Sequence, residues 1–355
     1  MSRFSNGIEK WCARWTARSP SSSADGRPSS PIRRRYASSE SPPRASACCC
    51  SRLPALGSDG DHAPSAGGGC QTAHTGRAGH DMTTDQFTEI DGFELRYRLY
   101  GSDDAPLAVI GHGIFASLDQ YADRSEALDI LAERFRVLLY DARGHGESEG
   151  PEEPEGYSWQ KLGEDMLALA AFAGEERPIL GGASMSANAA LWCALERPEA
   201  VRALVLIAPP PLGPRELREE SETQALQMLA TLATAVESFG LSGTADMAAT
   251  MPAFTAAAGP QGTEILRSQN PRTIVPIIRG LHEHTPRDPA EYAAVQVPVA
   301  VFAHPDDALH PLRSANLLAE HIPDCRLLLG PERDYWQNHP AELAHEIIAF
   351  LDSAS

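Results

Sequence analysis

The chain is poor in lysine, in long apolar runs and, over most of its length, in cysteine. Its 355 residues include two lysines, Lys10 and Lys161. Of the seven cysteines, only Cys193 and Cys325 lie beyond residue 81, too few and too scattered for a disulfide framework or a zinc site. No apolar run approaches the roughly eighteen residues of a membrane-spanning helix. The sequence therefore predicts neither a disulfide scaffold nor an integral membrane protein.

Charge divides the chain into two unlike parts. Residues 1–81 hold eleven Lys/Arg and six Asp/Glu, whereas residues 82–355 hold nineteen and forty-two. The first part is rich in Ser, Arg, Pro, Ala and Gly, so it buries too little apolar surface to offset the entropy of ordering, and we expect disorder. Its basic residues are scattered and precede no apolar h-region, which disfavours a nucleic-acid tail or an export signal. We interpret residues 1–81 as a leader, upstream of a start at Met82.

The remaining residues have the size of one α/β domain with an insertion. Their negative charge would repel nucleic-acid phosphates, and no metal-ligand spacing or dinucleotide-binding glycine loop is present. We therefore expect a cytoplasmic protein that acts on a small molecule, without cofactor, metal, nucleic-acid or membrane partner. The oligomeric state stays open, a homo-oligomer included.

Apolar runs and helical patterns alternate from residue 86 onward. Asp91–Gly92 stands between two apolar runs and is typical of a tight hairpin. The alternation beyond it predicts a mostly parallel, eight-stranded sheet with helices on both faces. After the prolines at 209–211 the alternation stops until residue 299, and residues 212–290 are helical in character. We predict a core formed by residues 82–211 and 291–355, with a helical lid at 212–290.

The segment 177–192 predicts a strand, a sharp turn and a helix, with Ser184 at the apex. Such a turn presents a nucleophilic hydroxyl, and small neighbours are needed because the two backbones pass close together. The pattern Gly-x-Ser-x-Gly is matched except that Ser186 replaces the second glycine. The alternative interpretation is a helix start in which Ser184 or Ser186 is an N-cap.

Three further motifs occur in order around this turn. They are a His112–Gly113 loop after the third strand, the segment 141–148 after the fourth, and the segment 302–311 after the seventh. Together with the turn at Ser184, they make residues 86–353 similar to the α/β-hydrolase superfamily, and most similar to its enol-lactonases, small-molecule esterases and cofactor-free haloperoxidases.

The resemblance implies roles for particular residues. The backbone N–H groups of Ile114 and Met185 would form the oxyanion hole. Asp307 would be the acid of the triad, because it precedes a proline by four residues as the family acid does; Asp306 is the alternative. His112 is expected to shape its loop.

The base of the triad has no histidine at the position that the family uses. The family places a histidine where this chain has Arg333, and arginine stays protonated near neutral pH. Three histidines are candidates. His310 lies in the loop of the acid and is our first choice, ahead of His339 and His304.

Two functions follow from this sequence. The first is a serine hydrolase of small esters, lactones or related acyl compounds, with Ser184, Asp307 and His310 as its catalytic residues. The second is a non-catalytic or atypical ligand-binding relative, in which Arg333 could hold an anionic group. Apolar residues of the predicted lid would line the pocket: Met228, Leu229, Leu232, Met247, Met251 and Phe254.

Overall fold

The computed structural model describes residues 84–122, 125–251, 261–282 and 287–354. The predicted leader, residues 1–81, lies outside these ranges, as does a second unit of the chain, Ala13–Gly79. The described residues belong to one compact unit.

Eight strands form one sheet with the order β1-β2-β4-β3-β5-β6-β7-β8. β2 runs antiparallel to both of its neighbours, and the other pairs are parallel, which confirms the predicted fold class. The strands are β1 Gln86–Ile90, β2 Phe93–Tyr100, β3 Leu107–Gly111, β4 Arg136–Tyr140, β5 Ile179–Ala183, β6 Ala203–Ile207, β7 Val299–Ala303 and β8 Cys325–Leu329.

The first two strands meet at the predicted hairpin. Asp91 and Gly92 both have positive φ angles, 53° and 80°, as a two-residue turn that follows the twist of the strands requires. Asp91 also bonds to Arg143 and Lys161, so this turn is tied to the loop after β4 and to the next helix.

Helices cover both faces of the sheet. Those of the core are α1 Leu118–Ala122, α2 Ser125–Ala132, α3 Trp159–Phe172, α4 Met185–Glu196, α8 Leu312–His321, α9 Tyr335–Asn338 and α10 Pro340–Ser353. Alternation along β5 separates two cores: Leu180 packs with α3 and α4, whereas Ile179 packs with α2 and α10. A central strand buried on both faces explains its continuous apolar sequence.

The segment between β6 and β7 is an insertion made of helices. It contains α5 Glu220–Ala249, α6 Gly262–Arg267 and α7 Ile274–His282. α5 is interrupted at Gly240, whose φ is 70°. Val236, Leu266 and Ile278 are among the residues of a separate small apolar core in this insertion. No helix within the described ranges is both long enough and apolar enough to cross a bilayer.

Candidate active site

Ser184 stands between the end of β5 and the start of α4. Its backbone has φ 50° and ψ −103°, an unfavourable conformation for a residue with a side chain, of the kind that persists where the surrounding structure imposes it. Its N–H donates to the carbonyl of Ile207 on the adjacent strand. Ser184 occupies the N-cap position of α4, but its hydroxyl makes no capping hydrogen bond to the helix.

Close backbone packing around Ser184 explains the glycines of the motif. A Cβ atom on Gly182 would lie 2.2 Å from the carbonyl oxygen of Gly111 on β3. Ser186, where the family has glycine, is buried, and its Oγ donates to the carbonyl oxygen of His112 at 2.8 Å. The extra side chain fits because Gly111 has none: a Cβ there would lie 2.2 Å from the Ser186 Oγ. We call the turn between β5 and α4 that presents the Ser184 hydroxyl the elbow. Ser186 therefore holds this elbow against the loop that follows β3.

That loop carries Ile114, one of the two predicted oxyanion donors. The backbone N–H groups of Ile114 and Met185 donate to no protein acceptor within the described ranges, and both residues line the cavity that contains Ser184. The Met185 N–H is in the first turn of α4, where the helix dipole is positive. Both groups are thus free to bind an oxygen in that cavity.

His112 orients the peptide group that contains the Ile114 N–H. Its Nε2 accepts from the backbone N–H of Ala142 at 3.0 Å, which leaves the proton on Nδ1 for a 2.8 Å bond to the carbonyl of Gly113. Because the peptide group is planar and trans, holding that carbonyl sets the direction of the Ile114 N–H. Burial lowers the pKa of His112 to about 4, so the ring is neutral near pH 7 and acts on the loop rather than as a base.

Asp307 and His310 are paired in the loop after β7. His310 Nδ1 lies 2.8 Å from Asp307 Oδ2, and the Leu309 N–H donates to Asp307 Oδ1 at 2.9 Å. Burial by itself would raise the pKa of the Asp307 carboxyl, but the hydrogen bond from His310 holds this pKa well below its usual range. With Nδ1 donating to a carboxylate, Nε2 of His310 carries the lone pair of a base. His310 lines the same cavity as Ser184.

The other residues considered for the base lie elsewhere or are bonded differently. His304 is buried and lines the cavity; its Nδ1 lies 3.2 Å from the Pro305 carbonyl, and its Nε2 has no protein partner within the described ranges. His339 is exposed and stacked on Tyr335, and does not line the cavity. Arg333 is also absent from the lining, and 40% of its side chain is exposed. The geometry therefore favours His310, with His304 as the remaining alternative.

Asp306, the alternative acid, has a positive φ of 62°. Asp306 is a turn residue, and the hydrogen bond to His310 is made by Asp307. The assignment of Asp307 as the acid of the triad stays a prediction.

The cavity has a volume of about 1120 Å³ and reaches from the carboxyl ends of the central strands to the helical insertion. Of the six residues predicted to line it from the insertion, Leu229 does so, and Phe254 lies outside the described residues. The prediction was wrong for the other four, namely Met228, Leu232, Met247 and Met251. Helical periodicity identifies an apolar face but not the surface that it packs against.

Sequence reasoning missed Arg218, which also lines the cavity. Arg218 lies in a segment without a recognisable motif.

Three side chains of this region have the ligand types of a metal site. His304, Asp307 and Asp334 have ligand atoms within 4.8 Å of one another, and they form such a group among the described residues. Both oxygens of Asp307 already accept hydrogen bonds, from His310 and Leu309.

Comparison with known proteins agrees with this architecture. A proline iminopeptidase of Pestalotiopsis fici is 35% identical over 100 residues, which cover 27% of this chain and 34% of the relative. The 3-oxoadipate enol-lactonase 2 of Acinetobacter baylyi is 25% identical over 235 residues, 64% of this chain and 81% of the relative. The solved structure of a hydrolase from Pseudomonas aeruginosa PA01 superposes with a TM-score of 0.60 at 25% identity, covering 76% of this chain and 98% of the other.

The first curated relatives match only in part, since the chain spans 34–38% of their length. The family assignment rests on a longer match. A sequence profile of the alpha/beta hydrolase fold matches residues 106–330, which include the turn at Ser184, the loop that carries Ile114 and the Asp307–His310 pair. The chain therefore belongs to the alpha/beta hydrolase fold family.

Proposed function

We propose that this protein is a serine hydrolase that cleaves a small ester, lactone or related acyl compound. The observation that carries the proposal is the strained elbow at Ser184 in one cavity with the hydrogen-bonded Asp307–His310 pair. The likeness to an enol-lactonase and to a hydrolase of solved structure supports the reaction class.

In the proposed mechanism, Ser184 Oγ attacks the acyl carbonyl carbon while His310 Nε2 takes its proton. Asp307 holds the imidazole in the tautomer that leaves Nε2 free and stabilises the imidazolium that forms. The backbone N–H groups of Ile114 and Met185 donate to the oxyanion of the tetrahedral intermediate. His310 then protonates the leaving oxygen, and a water molecule, activated by the same histidine, releases the acyl group from Ser184.

The helical insertion acts as a lid in this proposal. Leu226 and Leu229 of α5 and Ile278 and Leu281 of α7 contribute apolar side chains to the cavity. An apolar wall excludes water and strengthens the electrostatic interactions at the reacting carbonyl. The lid would thus select substrates with an apolar body.

Covalent labelling tests the nucleophile. A fluorophosphonate probe is expected to modify the full chain stoichiometrically at Ser184, and Ser184→Ala is expected to prevent labelling. The matched control is Ser238→Ala, which removes an exposed hydroxyl of α5 outside the cavity wall and should leave Ser184 reactive. A folded protein that does not react with the probe would favour the alternative, a non-catalytic ligand-binding relative. That alternative is motivated by Arg333, which stands where the family has the triad histidine.

A comparison of three single variants tests the base. Turnover of p-nitrophenyl acetate is expected to fall about a hundredfold or more in His310→Gln, as for loss of a general base. The matched control, His339→Gln, removes an exposed histidine and should retain turnover. A large loss in His304→Gln with little loss in His310→Gln would transfer the role to His304.

A further inference from the structure

Two arginines line the cavity that contains Ser184, and they differ in their partners. Arg287 pairs with two carboxylates, Glu196 and Glu291. Arg218 follows the short 3₁₀ turn Arg215–Leu217 at the start of the insertion, and it pairs with no carboxylate among the described residues. Its one hydrogen bond there runs from a terminal NH₂ group to the Gly213 carbonyl at 3.3 Å, and its Nε is buried without a partner.

Glu222, the buried carboxylate that attracts Arg218, already has hydrogen-bond partners. Glu222 accepts from Arg313 Nε at 2.8 and 3.1 Å and from the backbone N–H of Glu219 at 2.9 Å. Glu222 therefore balances the charge of Arg313 and caps α5. Arg218 is left as a half-buried guanidinium facing a largely apolar cavity.

The surroundings of Arg218 disfavour its charge. Burial, followed by repulsion from Arg313 and Arg215, lowers its pKa despite the attraction of Glu222. An arginine nevertheless stays protonated near neutral pH. A half-buried guanidinium without a carboxylate partner is stabilised by an anion that reaches its terminal NH₂ groups from the cavity, because a charge-assisted hydrogen bond is then formed there.

We propose that Arg218 binds a carboxylate at the far end of the substrate from the bond that Ser184 attacks. The planar fork of a guanidinium matches the two oxygens of a carboxylate. Pro211, Leu212 and Leu229 line the same cavity as Ser184 and Arg218, and apolar side chains of this kind suit an aliphatic linker. The preferred substrates are then monoesters or lactones of dicarboxylic acids. The hydrolysis of these substrates rests on the proposed function, whereas the binding of a carboxylate by Arg218 does not depend on it.

The proposal replaces an expectation made from the sequence. Arg333 was a candidate for holding an anionic group because it occupies the usual position of the triad histidine. Arg333 does not line the cavity, so the anion would be bound at the lid end, by Arg218, rather than beside the triad.

The test compares esters that differ only at the far end. Mono-p-nitrophenyl esters of succinate, glutarate and adipate are paired with p-nitrophenyl esters of the same chain length that end in a methyl group. We expect the wild-type protein to prefer the carboxylate-ended ester of one pair in kcat/KM. In Arg218→Met that ratio should fall about tenfold or more, the effect of one charge-assisted hydrogen-bonded pair, and Arg218→Lys should retain part of it.

Arg215→Met is the matched control, since Arg215 is exposed on the adjacent turn and absent from the cavity wall. It should keep the wild-type ratio. Equal losses in the two variants would indicate a general effect of surface charge and would overturn the proposal, as would a wild-type protein without any preference for the carboxylate.

A binding measurement separates this inference from the proposed function. Calorimetric titration of full-length Ser184→Ala with the monomethyl esters of succinate, glutarate and adipate should show, for at least one of them, binding that the matching dimethyl ester lacks and that Arg218→Met abolishes. If no ester is hydrolysed but this binding is observed, the proposed reaction fails and the carboxylate site stands. If esters are hydrolysed and no monomethyl ester binds through Arg218, the carboxylate site fails and the reaction stands.

Discussion

Two buried side chains, His112 and Ser186, hold the loop that would bind the oxyanion. Ser186 fixes the carbonyl of His112, and His112 in turn fixes the carbonyl of Gly113. Neither side chain has a role in bond making in the proposed mechanism. They matter because a donor to a developing charge is effective only when its direction is set beforehand.

The neutrality of His112 predicts a pH dependence of stability. Its pKa in the folded protein is about 4, below its ordinary value of 6.5, because burial disfavours the charged ring. As the pH falls from about 6.5 to about 4, this histidine is protonated in the unfolded chain but not in the folded protein. Over that range it therefore lowers the free energy of unfolding by about 1.4 kcal/mol per pH unit.

Replacement by glutamine tests this prediction, since the side-chain amide can both accept from Ala142 and donate to Gly113 without titrating. Urea unfolding of His112→Gln across this pH window should show a shallower decline in the free energy of unfolding than the wild type. His339→Gln, which alters an exposed histidine, should follow the wild-type slope. Parallel curves for the wild type and His112→Gln would contradict the prediction.

At the scale of elements, the loop after β4 is fastened to α3 by a buried ion pair. Arg143 bonds to both oxygens of Asp165, at 2.6 and 2.5 Å, and both side chains are 2% exposed. Arg143 also donates to the carbonyl of Gly156. The same loop contains Asp141, which accepts from the N–H groups of Leu118 and Glu147. These bonds explain why the segment 141–148 is a structural motif.

Breaking the pair should be costly. Asp165→Ala leaves the buried Arg143 guanidinium with the half-exposed Asp91, at 3.3 Å, as its remaining carboxylate partner, and the free energy of unfolding should fall by about 3 kcal/mol. Arg134→Ala, which removes an exposed pair with Asp352, should cost less than about 1 kcal/mol. Chemical denaturation measures both, and the double variant Arg143→Met with Asp165→Leu should recover much of the loss. Similar values for the two single variants would refute the argument.

At the scale of the whole molecule, the insertion is tied to the core by the pair between Glu222 on α5 and Arg313 on α8. Glu222 is 1% exposed and Arg313 20% in their side chains. Arg313 also donates to the Leu212 carbonyl at 2.7 Å. The start of the insertion is thereby held to a helix that packs on the sheet.

Glu222→Gln should loosen the insertion and leave the sheet intact. We expect faster amide hydrogen exchange in α5 and α7, with unchanged protection of β5 and β6, because the insertion has its own small core while the strands are buried on both faces. Glu237→Gln, at an exposed pair with Arg279, is the control and should leave exchange unchanged. A uniform rise across strands and insertion would show that the two parts do not open separately.

The sequence by itself determined the sheet, the order of the motifs and the identity of the elbow. These features depend on local patterns, such as the apolar run of β5 and the small residues around Ser184, and local patterns are visible without a fold. The spacing before Pro311 is likewise a local pattern, and it predicts Asp307 rather than Asp306 as the acid.

Only the tertiary structure decided which side chains meet. It placed His310 rather than His339 beside Asp307, and Leu229 but not Met228 in the cavity wall. It also separated Arg218, half-buried and without a carboxylate, from the exposed Arg333. These distinctions depend on the rotation of each helix and on which carboxylates are already paired, and both are set by contacts between residues far apart in the chain.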